Sequence, residues 1–140
     1  MVLEDAYSFS YLFDPVTQDY FPGLIVRVLK PGSPDSGVDL NVHFDSGASR
    51  SLLNGEIVVP ALGLDLFSGP TQRYNPVTGS GLEGRLHKVE IFHPDLGSFV
   101  LDVGISTVPI RRNILGRDFF DLVQIGFREH HQTLFITPEP

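Results

Sequence analysis

The chain has 140 residues, 41% of them hydrophobic and 19% charged, so it can bury one core and reads neither as disordered nor as two domains. Its net charge is −7 and its basic pairs, such as Arg111-Arg112, are short and scattered, which excludes a nucleic-acid partner, because phosphate contacts need clustered Lys and Arg. There is no cysteine, which excludes disulfides, thiolate metal sites and cysteine nucleophiles and suits a reducing, cytoplasmic setting.

The opening residues, MVLEDAYSFSYLFDPV, have no basic leader and no continuous apolar run, so they do not read as a secretory signal. No stretch approaches the ~20 apolar residues of a membrane span. Residues 1–20 lack a clean period and read as an arm packed on the body or on a partner; residues 21–140 read as one domain. Fourteen glycines and eleven prolines imply many turns and short elements, hence an all-β plan. LIVRVLK places apolar residues at 24, 26 and 28, the period of a strand. PGSPDSG (31–37) is read as a loop. VDLNVHF alternates without error, with Val38, Leu40, Val42 and Phe44 on one face and Asp39, Asn41 and His43 on the other. The two strands predict a hairpin.

Residues 50–70 are ambiguous. A short helix around 55–62 fits, but Pro60 argues against it. QRYNPVTGSGLEGRLHKVEIF reads as two strands around a glycine-rich tip at 79–84. SFVLDVGIS puts Phe99, Leu101, Val103 and Ile105 on one face. GRDFFDLV (116–123) is the best short helix, with Phe119, Phe120 and Val123 on one side. QIGF and QTLFI form a final hairpin around REHH.

The triplet Asp-Ser-Gly occurs twice. The copy at Asp35 sits among prolines and glycines, where these residues serve a turn for backbone reasons alone. The copy at Asp45 follows an alternating strand and is continued by two small residues, Ala48 and Ser49. A carboxylate at the end of a buried strand is held rigidly and is expected to be partly desolvated, conditions that tune a pKa.

Some seventy residues later comes RRNILGRDFFDLV. FDSGA (44–48), ILGRDFF (114–120) and GSGLEG (79–84) between them resemble the three motifs of the retroviral-type, or retropepsin-like, aspartic proteases, in the same order. The resemblance covers roughly residues 20–137. It implies a closed β-barrel with a flap hairpin and one short helix near the C-terminus. It implies Asp45 as the catalytic carboxylate, with Ser46, Gly47 and Ala48 completing the active-site loop. Gly79, Ser80, Gly81 and Leu82 would form the substrate-binding flap. Ile114, Leu115, Gly116 and Arg117 would support the loop from beneath. The family's chemistry needs two carboxylates sharing one proton. One triplet per chain therefore implies a homodimer acting on a peptide or protein substrate, without metal or cofactor. Where the family often carries a second Asp that pairs with the later arginine, this chain has Ser49, so Arg117 needs another partner. The long C-terminal segment resembles cellular and bacterial members. The alternative is an inactive module of the same fold that dimerises or binds peptides; a third option is an unrelated small β-barrel.

Other motifs are weaker. GSGLEG also matches Gly-x-Gly-x-x-Gly, but a strand follows it where a dinucleotide site needs a helix. The five histidines lack metal-ligand spacing; His130 and His131 are neighbours that extended chain would point to opposite faces. There is no Gly-x-Ser-x-Gly of a serine hydrolase.

Overall fold

A computed structural model describes residues 5–75 and 81–138. Twelve strands and two α-helices are present among them: β1 (Tyr7–Ser10), β2 (Leu12–Asp14), β3 (Asp19–Phe21), β4 (Gly23–Lys30), β5 (Ser33–Phe44), β6 (Leu52–Leu53), α1 (Gly55–Leu62), β7 (Thr71–Tyr74), β8 (Leu82–His93), β9 (Gly97–Ser106), β10 (Asn113–Leu115), α2 (Arg117–Phe120), β11 (Gln124–Arg128) and β12 (Thr133–Thr137). The main sheet runs β4-β5-β10-β6-β9-β8-β7, and β4 also pairs with β8. Six strands thus close into a ring, which leaves few free edges. β10 is parallel to β5, and β6 is parallel to β9. A smaller sheet, β1-β12-β11, joins the two ends of the chain, and β2 pairs with β3.

The alternation read in the sequence decides which faces turn inward. Leu24, Val26 and Val28 of β4, Leu40, Val42 and Phe44 of β5, and Val103 and Ile105 of β9 are buried in one core. The opposite face of β5 carries Asp39, Asn41 and His43, and by the same period Asp45 follows them.

Five details differ from the sequence reading. The loop at 31–37 shrinks to a turn at Pro31-Gly32, where Gly32 has a φ of 77°. The strand resumes at Ser33, and a register shift beside Leu29 and Lys30 absorbs the extra residues, so exposed Asp35 lies on β5. The longest helix is α1, in the segment left ambiguous. It runs through Pro60 because both ends are capped and its inner face is buried. The Asn54 side chain accepts from the Glu56 N–H, Gly63 closes the helix at a φ of 65°, and Val58 and Leu62 enter the core. The expected helix at 116–123 spans only residues 117–120, although Phe119 and Val123 are buried as its pattern predicts. Leu82 and Gly84, expected at the hairpin tip, are already paired in strand, with Tyr74 and Gln72. His130 and His131 sit in a turn rather than in extended chain, with their rings edge to face at 5.3 Å.

α1 is seated by Gly55, whose N–H donates to the Ser106 hydroxyl at 2.9 Å. A Cβ there would strike the Ser106 carbonyl oxygen. Gly55→Ala should therefore destabilise by about 1–3 kcal/mol from overpacking, more than the ~1 kcal/mol that alanine gains in a helix. Urea unfolding of the variant checks this; a stabilised variant would show that the helix is free to shift.

Candidate active site

Asp45 ends β5 and opens a loop, residues 45–51, that leads to β6. β10 lies between those two strands, so the loop must arch over its end. Three backbone contacts fix the arch. The Asp45 N–H donates to the Leu115 carbonyl at 3.0 Å, the Ala48 N–H to the Asp45 carbonyl at 3.2 Å, and the Arg117 N–H to the Ala48 carbonyl at 2.8 Å. Gly116 makes the last contact possible, because a Cβ on it would sit 2.5 Å from the Ala48 oxygen. Leu115 is fully buried and Ile114 lies at the cleft wall. The segment 114–117 thus lies directly beneath the loop.

The Asp45 carboxylate accepts the Gly47 N–H at 2.8 Å. It is exposed, as are Ser46 and Gly47. The partial desolvation expected from the buried strand is not seen among the described residues of a single chain, since the carboxylate lies one residue beyond the buried Phe44 and none of them covers it. A cleft of about 610 Å³ opens above the loop, bounded on the far side by Tyr74, Asn75 and Leu82 of the β7–β8 hairpin. Asp45 is the only acid among the described residues that line it. Gly81 and Leu82 are at the described end of that hairpin, while Gly79 and Ser80 lie outside the described residues. Arg117 is exposed and has no carboxylate partner among the described residues.

The polar link beneath the loop is made by residues that the sequence reading did not single out. Ser51 is fully buried. Its hydroxyl donates to Asp118 at 2.7 Å and accepts the Gly116 N–H at 3.0 Å, while its own N–H donates to the second Asp118 oxygen at 2.9 Å. The Tyr74 hydroxyl donates to the Ser51 carbonyl at 2.8 Å. Burial, with Asp118 nearby, pushes that hydroxyl up to about 12, so it remains a donor at any ordinary pH. Gly84 and Gly104 leave room for the Tyr74 ring. The only sequence signal for this cluster was negative: two glycines inside strand patterns, which mark a close approach.

A smaller pocket of about 130 Å³ lies at His43, two residues before Asp45. His43 lines it, half-buried, with the Phe21 ring edge-on at 4.2 Å. Burial first, and the Arg112 charge second, hold the imidazole below its ordinary value, against an upward pull from Asp45. Buried Asp14 accepts from Arg111 at 2.7 Å, with Arg112 at 3.8 Å, and the Arg111 hydrogen bond holds its carboxyl below the usual carboxylate range.

No family model and no curated protein matches the chain. Solved structures do. A retropepsin-like aspartic protease from Rickettsia conorii is similar over 94% of this chain and 90% of that one, with a TM-score of 0.62 and 14% identity. The EIAV protease complexed with the inhibitor HBY-793 covers 72% of this chain and 86% of its own, with a TM-score of 0.48 and 22% identity. The chain has the retropepsin-like fold, that of a class of aspartic proteases. No helix among the described residues is long and apolar enough to cross a membrane.

Two measurements check the site. Ser51→Ala removes both hydroxyl bonds and leaves the Gly116 N–H buried and unpaired, so it should cost about 1–3 kcal/mol in unfolding free energy. A neutral result would mean that the loop is held by the backbone alone. The pH prediction follows from His43. Its folded value is depressed, so its contribution is full above the ordinary value and is lost as pH falls through the folded one. His43→Gln should therefore lose less stability than the wild type between about pH 7.5 and about pH 5.5. Equal losses would place the titrating group elsewhere.

Proposed function

We propose that this protein is an aspartic endopeptidase in which Asp45 carboxyls from two copies of the chain meet and share a proton. The observation that carries the reading is a lone, exposed carboxylate on a braced loop, the only acid among the described residues lining a cleft of peptide-binding size. One carboxylate cannot act as base and acid in the same step, so a second must come from another copy. The Asp-Ser-Gly-Ala run at the strand end and the retropepsin-like fold support the same reading.

In this mechanism the ionised Asp45 takes a proton from water, and the oxygen bonds to the scissile carbonyl carbon. The partner carboxyl gives its proton to the carbonyl oxygen. A proton then passes to the amide nitrogen and the C–N bond breaks, releasing an acid and an amine. Ser46 braces the two loops across the two-fold axis, and Gly47 offers backbone groups to the substrate. The hairpin over the cleft, with Gly79, Ser80, Gly81 and Leu82 near its tip, closes on the peptide and limits water.

Asp45→Asn should abolish cleavage of a peptide library while leaving the fold intact, whereas Asp35→Asn should change neither. Mixing Asp45→Asn chains into wild type should depress activity beyond simple dilution, because mixed dimers lack one carboxyl. Activity against pH should be bell-shaped with its maximum below neutral, since both limbs belong to the pair. A rate that climbs steadily to about pH 9, or an active Asp45→Asn protein, would overturn the reading. Cleavage that stays proportional to protein far below the dimer dissociation constant would remove the shared site.

A further inference from the structure

The chain as a whole is acidic, yet the cleft at Asp45 and the pocket at His43, two residues before it, are not. They hold Arg50, Arg73, Arg111 and Arg112, four of its ten Lys and Arg residues, against Asp45 and Asp14 as the only acids among the described lining. Folding brings together arginines from three separated stretches of sequence.

Their partners are unevenly distributed. Away from the cleft, Arg27 pairs with Asp39, Arg85 with Glu83 and Lys88 with Asp102. In the larger cleft neither Arg50 nor Arg73 has a carboxylate partner among the described residues. Glu83 stands opposite Arg73 in register, but its carboxylate is taken by Arg85 at 3.0 Å. Arg50 and Tyr74 of the hairpin line the same cleft. In the smaller pocket one carboxylate, Asp14, faces two guanidiniums beside His43, and Asp19 in the adjoining pocket forms an ion pair with neither. His43 precedes Asp45 by two residues on the same strand period, so this pocket opens toward the same face as the carboxylate.

A guanidinium at a cleft wall recognises a carboxylate through paired, charge-assisted hydrogen bonds, and clustered like charges in a concave wall focus their field on the ligand. Resting on the endopeptidase reading, we propose that the substrate is an acidic peptide segment, with Asp or Glu side chains on both sides of the scissile bond, one engaging Arg50 and one Arg112. Net repulsion from the rest of the surface is overcome locally, where screening is weakest.

The test uses short peptides carrying Glu on each side of a central apolar pair, and the same peptides with Gln. The wild-type protein should cleave the Glu peptides with a kcat/KM about tenfold or more above the Gln peptides, and added salt should narrow the gap. Each substitution is present in both copies around the two-fold axis, so Arg50→Glu and Arg112→Glu should each lower the Glu preference on both sides of the scissile bond and shift it toward Lys. Arg50→Gln and a circular dichroism spectrum guard against misfolding of the reversal variants. In parallel, the Asp45→Asn protein should bind fluorescein-labelled Glu peptide more tightly than Gln peptide by anisotropy. Cleavage of both peptides at equal rates would overturn the acidic preference and leave the endopeptidase intact. If the wild type cleaves nothing, the endopeptidase reading fails, and equal anisotropy for the two peptides would then overturn the acidic preference as well.

Discussion

The arrangement around Asp45 depends on one close approach, the backbone of Gly116 against the carbonyl of Ala48. β10 lies between β5 and β6, so the loop joining those strands has to pass over its end at van der Waals distance. Any side chain at position 116 would lift the loop and break the Arg117–Ala48 and Asp45–Leu115 bonds together. Ser51 and Asp118 secure the far end of the same arch, below Tyr74. No described buried side-chain polar atom lacks a partner. That completeness matters, because a half-satisfied polar network under the loop would cost more than an apolar one.

The same economy of space explains the hairpin wall. Gly84 and Gly104 carry no side chain where the Tyr74 ring must lie flat against two strands. The ring then reaches Ser51, so β7 is tied to the floor of the cleft at one point. The wall is thereby fixed at its base relative to Asp45. Side chains carried on that base, Arg73 among them, line the same cleft as the carboxylate.

What could be read in the sequence was the part governed by local periodicity. Leu40, Val42 and Phe44 announce a buried face two residues at a time, and that pattern also fixes the face on which Asp45 emerges. The order of the three motifs, together with this period, carried the fold. What stayed hidden needs neighbours distant in sequence. α1 contradicts its own Pro60 and forms because Asn54, Ser106 and the core hold it. Arg50 and Arg112 look scattered along the chain, and only the folded ring places one in the cleft and the other in the pocket at His43. Ser51 and Asp118 are 67 residues apart, and neither stands out until β10 brings them together.

The N-terminal residues complete the electrostatic arrangement. β1 pairs with β12, and Tyr11, buried beside them, donates to Glu129 at 2.7 Å. The chain then delivers Asp14 to Arg111 and Arg112 at the pocket beside Asp45. Asp14 is held below the usual carboxylate range, so it stays ionised as pH falls to mildly acid values. His43 is held below its ordinary value, so it stays neutral over more of the same range. The two shifts have opposite electrostatic causes, a paired guanidinium for one and burial for the other, yet they act together. Between them the charges of Asp14, Arg111 and Arg112 beside a neutral His43 persist as pH falls just below neutrality, because burial opposes protonation of the imidazole and the Arg111 pair opposes protonation of the carboxylate.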